Sequence, residues 1–507
     1  MQRLLLIMVL ACSMGWSQYH PPVFPDSDRA QRVMATQGFV EAMFREFMKQ
    51  RNAPGLVYGV MLDGKLLYSG GFGVTNLERG YKADPTSLFR IASMSKSITA
   101  LAILQLRDAG KLSLEDPASR YIPEMKGLRL LTSDSPEITI RHLLTHGSGL
   151  PEDNAWGDRQ LDATDAELRK LMADGPSFST PVGTEYEYSN VGFALLGQIV
   201  QVVSGMSFEE YTTKRIFEPL GMKNTVWEFS KAPAEKLALG YGWIEGKHEI
   251  IPLLHHGSYG AMGGLITSIE DFAKYVAMHL GTWPARDGAE TYPLKRSSLR
   301  EMHHPWRFDR VNARFRYPNG RECAMASAYA YGLRWTEDCD GVVSVGHSGG
   351  LPGFGSNWTM LPDYGLAVMS FANRTYAGTA SVNAAILDSI LAVTGLEPRK
   401  LPIPDILKKR AQELVDFLPD WESAEGSGLF GENFFLDESL EARRRNTRAL
   451  FDEVGPISAR REIVPENQLR GTFILEGTSA DISVYFTLTP EPDPLFQVVR
   501  IRKVEKR

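Results

Sequence analysis

A chain of 507 residues that is 43% hydrophobic, 23% charged and 10% aromatic has an ordinary globular composition. Its 46 glycines and 29 prolines follow no period, which excludes collagen-like and disordered classes. The 55 basic and 61 acidic residues leave a net charge of −6 with no long run of like charge, so nothing points to nucleic acid or another polyanion as a partner.

The elements in chain order begin with a leader. Met1-Gln2-Arg3 supplies one positive charge, Leu4 to Ala11 is an unbroken apolar run, and small residues follow at Gly15 and Ser17. Residues 1–17 read as a secretory signal peptide cleaved near Ser17-Gln18, which predicts an exported protein, periplasmic or secreted. Lipidation at Cys12 would leave an unusually short signal. The apolar run is also far short of the ~20 residues that a membrane-spanning helix needs, and no other stretch is predicted to span a bilayer. Past the leader only Cys323 and Cys339 remain. They either pair as a local disulfide or stay as two buried thiols, and no C-x-x-C spacing suggests a metal.

An amphipathic segment carrying Phe39, Met43 and Phe47 reads as a helix. Residues 56–72 read as a hairpin turning at Asp63-Gly64, since both turn positions need positive φ. A helix is expected from about Ser93 to Ala109, closed by Gly110, and an apolar one from Asn190 to about 204, stopped by Gly205. Three strand-like runs follow at 342–345, 357–360 and 366–371. An early hairpin and helix, helices in the middle and strands late predict an α/β sandwich closed by distant segments. Three prolines in 397–404 mark a domain boundary near 398. Beyond it, 399–420 reads as linker and helix, and 421–507 as a small α+β domain, cystatin- or NTF2-like. Asp437 is expected to cap a helix bearing Leu440, Leu450, Phe451 and Val454, followed by strands at 471–475, 482–488 and 495–501.

Three short patterns carry chemistry. In Ser93-Met94-Ser95-Lys96, residues three apart on a helix share a face, so an amine reaches a hydroxyl lying near the positive end of the helix dipole. In Tyr188-Ser189-Asn190, a phenol fixed where a helix begins can pass protons, and the asparagine amide can donate to a substrate carbonyl. In His347-Ser348-Gly349-Gly350, at the end of the strand 342–345, an imidazole is followed by backbone N–H groups that a substrate can approach closely. Taken alone, the first has a bland reading as a capping serine with a solvated lysine, and the second is a weak signal. Tyr317-Pro318-Asn319 and His255-His256-Gly257 are decoys of the second and third.

In the order Ser-x-x-Lys, Tyr-x-Asn, His-x-Gly, the set resembles the class C β-lactamase and penicillin-recognising serine hydrolase family. The text Ile138-Thr139-Ile140-Arg141-His142-Leu143-Leu144-Thr145-His146-Gly147-Ser148-Gly149-Leu150, Pro181-Val182-Gly183 and Gly263-Gly264-Leu265 add to the likeness, which covers roughly residues 35–395. The resemblance implies an antiparallel sheet flanked by helices with a helical subdomain, over 18–398. It also implies an acyl-enzyme on Ser93, with Lys96 taking its proton and Tyr188 shuttling protons to the leaving group. Asn190, His347, Gly349 and Gly350 would bind substrate, the backbone N–H groups of Ser93 and Gly350 would form the oxyanion hole, and neither cofactor nor metal is implied. A lysine with pKa ~10.4 is almost wholly charged at pH 7, so Lys96 must be depressed by burial or a neighbouring cation.

Histidine at 347 departs from the lysine usual in the family's β-lactamases and carboxypeptidases, which removes a permanent anchor for a substrate carboxylate. The expected activity is therefore amide or ester hydrolysis of a small molecule or peptide, of D-aminopeptidase, carboxypeptidase or esterase type. A catalytically inactive sensor on the same scaffold is the alternative. More remotely, Gly346-His347-Ser348-Gly349-Gly350 fits the G-x-S-x-G elbow of an α/β-hydrolase with Ser348 as nucleophile. Against that, Leu351-Pro352-Gly353 breaks the helix such an elbow requires, and no histidine occurs downstream.

Overall fold

A computed structural model describes residues 19–317 and 319–506, so the leader expected at 1–17 and Pro318 of the decoy lie outside the described residues. The chain divides into two compact units. One spans 26–398, and the other joins residues 19–25 with 399–506.

The first unit is built on nine antiparallel strands. In chain order these are β1 (Gly55–Leu62), β2 (Lys65–Asn76), β3 (Tyr81–Lys82), β4 (Arg307–Arg316), β5 (Glu322–Tyr329), β6 (Arg334–Asp338), β7 (Val343–Leu351), β8 (Phe354–Leu361) and β9 (Leu366–Ala372). Across the sheet they run β3-β2-β1-β9-β8-β7-β6-β5-β4. The early hairpin thus pairs with the last strand of the unit, Leu56 opposite Ala372 through Leu62 opposite Leu366. Asp63 and Gly64 turn that hairpin at φ of 52° and 78°, the geometry a two-residue loop demands.

All eight residues of β1 are buried because both sheet faces are covered. Val57 and Met61 pack with Phe272 and Val276 of a helix over Ile269–Leu280. Leu56, Tyr58, Val60 and Leu62 pack on the other face with Phe44 and Phe47 of α1 (Gln37–Gln50), and with Ile386 and Ile390 of a helix over Ala380–Thr394. The amphipathic helix forms where expected, with Val40 and Phe44 fully buried beside Phe47, and Phe39 and Met43 at its margin.

Two helices inside the larger core carry the motifs. A 3₁₀ turn over Ala92–Met94 leads into α2 (Ser95–Asp108). Ala92 sits at φ 50°, a left-handed conformation that a residue with a side chain adopts at a cost. Helix α3 (Asn190–Ser204) starts at Ser189, whose hydroxyl accepts the Gly192 N–H, and stops at Gly205, which is left-handed. The Asp153 carboxylate accepts the first two N–H groups of α3, from Asn190 and Val191 at 2.6 and 2.9 Å. This places an anion at the positive end of that helix.

The second unit has its own core. Helix α4 (Asp405–Phe417) buries Leu407, Ala411 and Leu414, and the strands contribute Phe473, Val484, Phe486 and Phe496. Within 399–420, expected as linker and helix, the helix is Asp405–Phe417 and it packs into this core. Its sheet runs β10 (Ile457–Arg460), β12 (Arg470–Gly477), β13 (Asp481–Leu488), β14 (Phe496–Val504), with β11 (Val464–Asn467) also on β12. Helix α5 (Leu440–Val454) is capped by Ser439, whose hydroxyl accepts the Ala442 N–H. Asp437, the expected cap, ends a preceding short turn and accepts from the Asn433 amide instead.

Cys323 and Cys339 form a disulfide, which closes the end of the β5–β6 hairpin. Among the described residues no single helix is long and apolar enough to cross a membrane.

Candidate active site

Ser93, the phenol of Tyr188 and the strand β7 converge on one cleft of about 610 Å³. Ser93 is 7% exposed and Lys96 is fully buried. The Lys96 Nζ lies 3.0 Å from the Ser93 Oγ, and it donates to the Asn190 Oδ1 at 2.7 Å and to the Met262 carbonyl at 2.9 Å. Its amine also sits 4.9 Å from the centre of the Tyr188 ring. Tyr188 is buried and lines the same cleft as Ser93. The spacing of three on one helix thus delivers the amine and hydroxyl contact, and α3 brings Tyr188 and Asn190 to meet it.

Burial sets the electrostatics. It lowers the Lys96 amine from 10.5 to about 7. The carboxylates of Asp158 and Asp153 oppose that shift, and the Arg334 cation adds to it. The Tyr188 phenol is pushed well above its ordinary value by burial, against the pull of the Ser93 hydroxyl. It is therefore a neutral phenol that can relay a proton, not a phenolate. Burial also raises the Asp158 carboxyl to about 6, against the Tyr376 hydroxyl and Lys96, which lower it.

Two features of the third motif differ from the expectation. His347 to Gly350 lie inside β7, not at a strand end, because pairing with β8 continues through Gly350 opposite Gly355 and Leu351 opposite Phe354. An antiparallel hairpin then follows, so Ser348 has none of the strand-turn-helix context of a nucleophile elbow, and its hydroxyl accepts from the Asn357 amide. The α/β-hydrolase alternative is excluded on this geometry.

The histidine is also fully engaged. Its Nδ1 lies 2.5 Å from the Ser348 carbonyl and so carries the hydrogen, leaving Nε2 to accept the Tyr329 hydroxyl at 2.9 Å. Burial and the nearby Lys96 hold its pKa far below 6.5. His347 lines the cleft as a neutral ring with no nitrogen to spare for a substrate. Gly349 has a steric reason to be glycine, since a Cβ there would stand 2.2 Å from the Ile91 carbonyl, beside the turn that carries Ser93. Asn190 has one amide hydrogen committed to the Asn154 Oδ1 at 3.1 Å, leaving the other.

Several groups at the cleft belong to none of the three motifs. Arg334 on β6 stands opposite Gly346 of β7 and places its guanidinium within about 6 Å of the Tyr186, Tyr188 and Tyr329 rings. A permanent cation therefore faces the cleft even though position 347 is not lysine. No motif marks it, because only strand pairing brings it there. His146 packs its ring 4.3 Å from Tyr188 and 4.4 Å from Tyr329, and its Nδ1 accepts the Ser189 N–H. His142, four residues earlier, accepts the Thr139 N–H and so caps its own helix. Asp158 and Tyr376, joined by a 2.8 Å hydrogen bond, complete the wall.

A nine-stranded antiparallel sheet between helices, with a serine, lysine and tyrosine meeting beside its interior strand β7, defines the β-lactamase and transpeptidase-like class. The profile of the Beta-lactamase family matches residues 40–391, and the chain belongs to that family. Protein flp of Staphylococcus aureus strain MW2 is 28% identical over 347 residues, covering 67% of this chain and 64% of flp. Unguisins hydrolase ungD' of Aspergillus campestris is 28% identical over 361 residues, with 68% of this chain and 64% of that protein covered. The chain thus spans just under two thirds of the length of these curated relatives. Among solved structures, a penicillin-binding protein from Bacillus halodurans aligns at TM-score 0.54 and 26% identity, covering 68% of this chain and 98% of its own. The octameric penicillin-binding protein homologue from Pyrococcus abyssi aligns at TM-score 0.56 and 23% identity over 92% of this chain and 99% of its own, a likeness of fold alone.

Proposed function

We propose that the protein is a serine hydrolase that cleaves an amide or ester bond of a small molecule or peptide through an acyl-enzyme on Ser93. One observation carries the reading. The Lys96 Nζ touches three oxygens, of which the Asn190 Oδ1 and the Met262 carbonyl can only accept. A neutral amine has two hydrogens, and once these are spent on the two acceptors its lone pair faces the Ser93 hydroxyl 3.0 Å away. An amine lowered to about 7 is neutral in roughly half of the molecules near neutral pH, which suits a general base.

Lys96 takes the proton of Ser93 as the Oγ–C bond forms, and the oxyanion is stabilised by the backbone N–H groups of Ser93 and Gly350. The carbonyl re-forms as the bond to the leaving group breaks. The leaving group takes a proton from Tyr188, which is reprotonated by the Lys96 ammonium. Water then attacks the acyl-enzyme by the reverse relay, which releases the acid. Arg334 lies beside Tyr188, so the leaving half of the substrate is directed toward a cation. Because His347 has no free nitrogen, that guanidinium takes the part of a carboxylate anchor. Esters and amides remain the expected substrates, with β-lactams turned over poorly.

Treatment of the purified protein with a neutral fluorophosphonate tests the reading. One covalent adduct is expected, abolished in Ser93→Ala and retained in Ser348→Ala. An unlabelled wild type that still binds ligands would favour the inactive sensor. Turnover of short-chain esters, D-amino-acid amides and a cephalosporin ranks the substrates. Export follows from the leader and is supported by the Cys323–Cys339 disulfide; fractionation of cells expressing the full chain checks it.

A further inference from the structure

We infer that the cleft holds an ammonium group on the acyl half of its substrate against the Asp158 carboxylate, an inference that rests on the serine hydrolase reading. Asp158 is only 3% exposed yet lines the cleft that contains Ser93. Its Oδ2 accepts the Tyr376 hydroxyl at 2.8 Å, and its Oδ1, also buried, has no hydrogen-bond partner among the described residues. A buried carboxylate oxygen without a donor is destabilising and rare in native proteins. The carboxylate of Asp153 nearby is different, since it accepts two backbone N–H groups. Asp158 thus lines the cavity with one acceptor oxygen unpaired, and the missing partner is a donor that arrives with a ligand.

The position of Asp158 says which part of the ligand this is. Along β7, Arg334 stands opposite Gly346, Gly349 abuts the turn that carries Ser93, and Gly350 is touched by the Tyr376 ring, 2.7 Å from where a Cβ would be. Four residues of strand separate the Arg334 end from the Tyr376 end, about 13 Å at ~3.3 Å per residue. Tyr188, which supplies the leaving-group proton, packs beside Arg334. The leaving half therefore runs toward Arg334, and the acyl half toward Gly350, Tyr376 and Asp158. Glu152 and Glu187 line the same cleft and make its potential more negative. The substrate class is an aminoacyl amide or ester with its amine free and protonated.

The experiment compares D-alanyl, β-alanyl and 6-aminohexanoyl 4-nitroanilides with their N-acetyl counterparts, in the wild type and in Asp158→Asn. Labelling of Ser93 by the neutral fluorophosphonate confirms that each protein is folded and competent. Charge-assisted hydrogen bonds of this kind predict a preference in kcat/KM of about 10- to 100-fold for the free amine of at least one chain length. That preference should fall to near unity in Asp158→Asn. Removing the carboxylate also alters Lys96, but that acts on both members of a pair and cancels in the ratio. If no anilide turns over, the same ratio is read as protection of Ser93 from the fluorophosphonate by free and N-acetylated aminoacyl amides. A wild-type ratio near unity at all three lengths, or a preference retained in Asp158→Asn, overturns the inference and leaves the hydrolase reading intact. Failure of the wild type to label overturns the reading itself, and the inference with it.

Discussion

The two units bury charge in opposite ways. In the C-terminal unit the Arg410 side chain is completely buried, and each of its nitrogens has a partner: Glu413, Asp493 and the Pro494 carbonyl. Around β7 of the larger unit, Lys96, Asn190, His146 and His347 are also buried, but the Asp158 Oδ1 and the His146 Nε2 lack hydrogen-bond partners among the described residues, and burial lowers the Lys96 amine to about 7. A buried charge with every valence filled holds a fold together. One with a valence open is stabilised only when something else arrives, and such groups cluster where chemistry occurs.

The largest effect that would sharpen this contrast is at the nucleophile. Ser93→Ala should abolish fluorophosphonate labelling and lower turnover by about 10⁴-fold or more, with the melting temperature little changed. Tyr188→Phe should lower kcat by about 10²- to 10⁴-fold at similar KM, as expected for loss of a proton relay; an unchanged kcat would remove Tyr188 from the mechanism. The pH profile of labelling isolates Lys96. Its folded pKa lies below the ordinary value and its neutral form is the active one. Labelling should therefore be fully present above about 7 and fall tenfold per pH unit below it. The same shift means that the unfolded chain binds a proton that the folded chain does not between about 7 and 10.5, so this lysine's contribution to stability rises with pH across that window. A profile with its midpoint near 10 would show that burial does not discharge the amine.

In the C-terminal unit the effects should appear in stability and not in chemistry. Phe486→Ala removes a fully buried ring and should destabilise that unit by about 3–5 kcal/mol in denaturant titration, with Ser93 labelling retained. Ser439→Ala removes the cap of α5 and should destabilise by about 1 kcal/mol. If either variant instead changed the rate of labelling, the division between a structural core and a chemical one would fail.

Much of the larger unit is legible residue by residue. Asp63-Gly64 states a hairpin, Gly205 the end of α3, and Ser93 with Lys96 a shared helical face, because each rests on local conformational preferences acting over a few residues. The Asp437 cap was misplaced by two residues, since Ser439 also offers a hydroxyl and lies at the spacing where it can accept the Ala442 N–H. The third motif follows the apolar run 342–345, and nothing local shows that the strand continues through it. In the structure Gly349 is instead the close approach to the Ile91 carbonyl within a continuing ladder.

By itself the sequence determined that Lys96 meets Ser93, since one helical turn suffices to bring an amine to a hydroxyl. It also determined the hairpin of β1 and β2, since Asp63-Gly64 favours the positive φ that its turn requires. Only the tertiary structure decided the environment that gives those groups their properties. Arg334 reaches the cleft through the pairing of β6 with β7, Asp158 faces Tyr376 from 218 residues away, and the Lys96 amine is lowered to about 7 because distant segments exclude water from it. Spacing along a chain fixes local geometry, but solvation and field are sums over everything folded around a site, and no short stretch of sequence contains them.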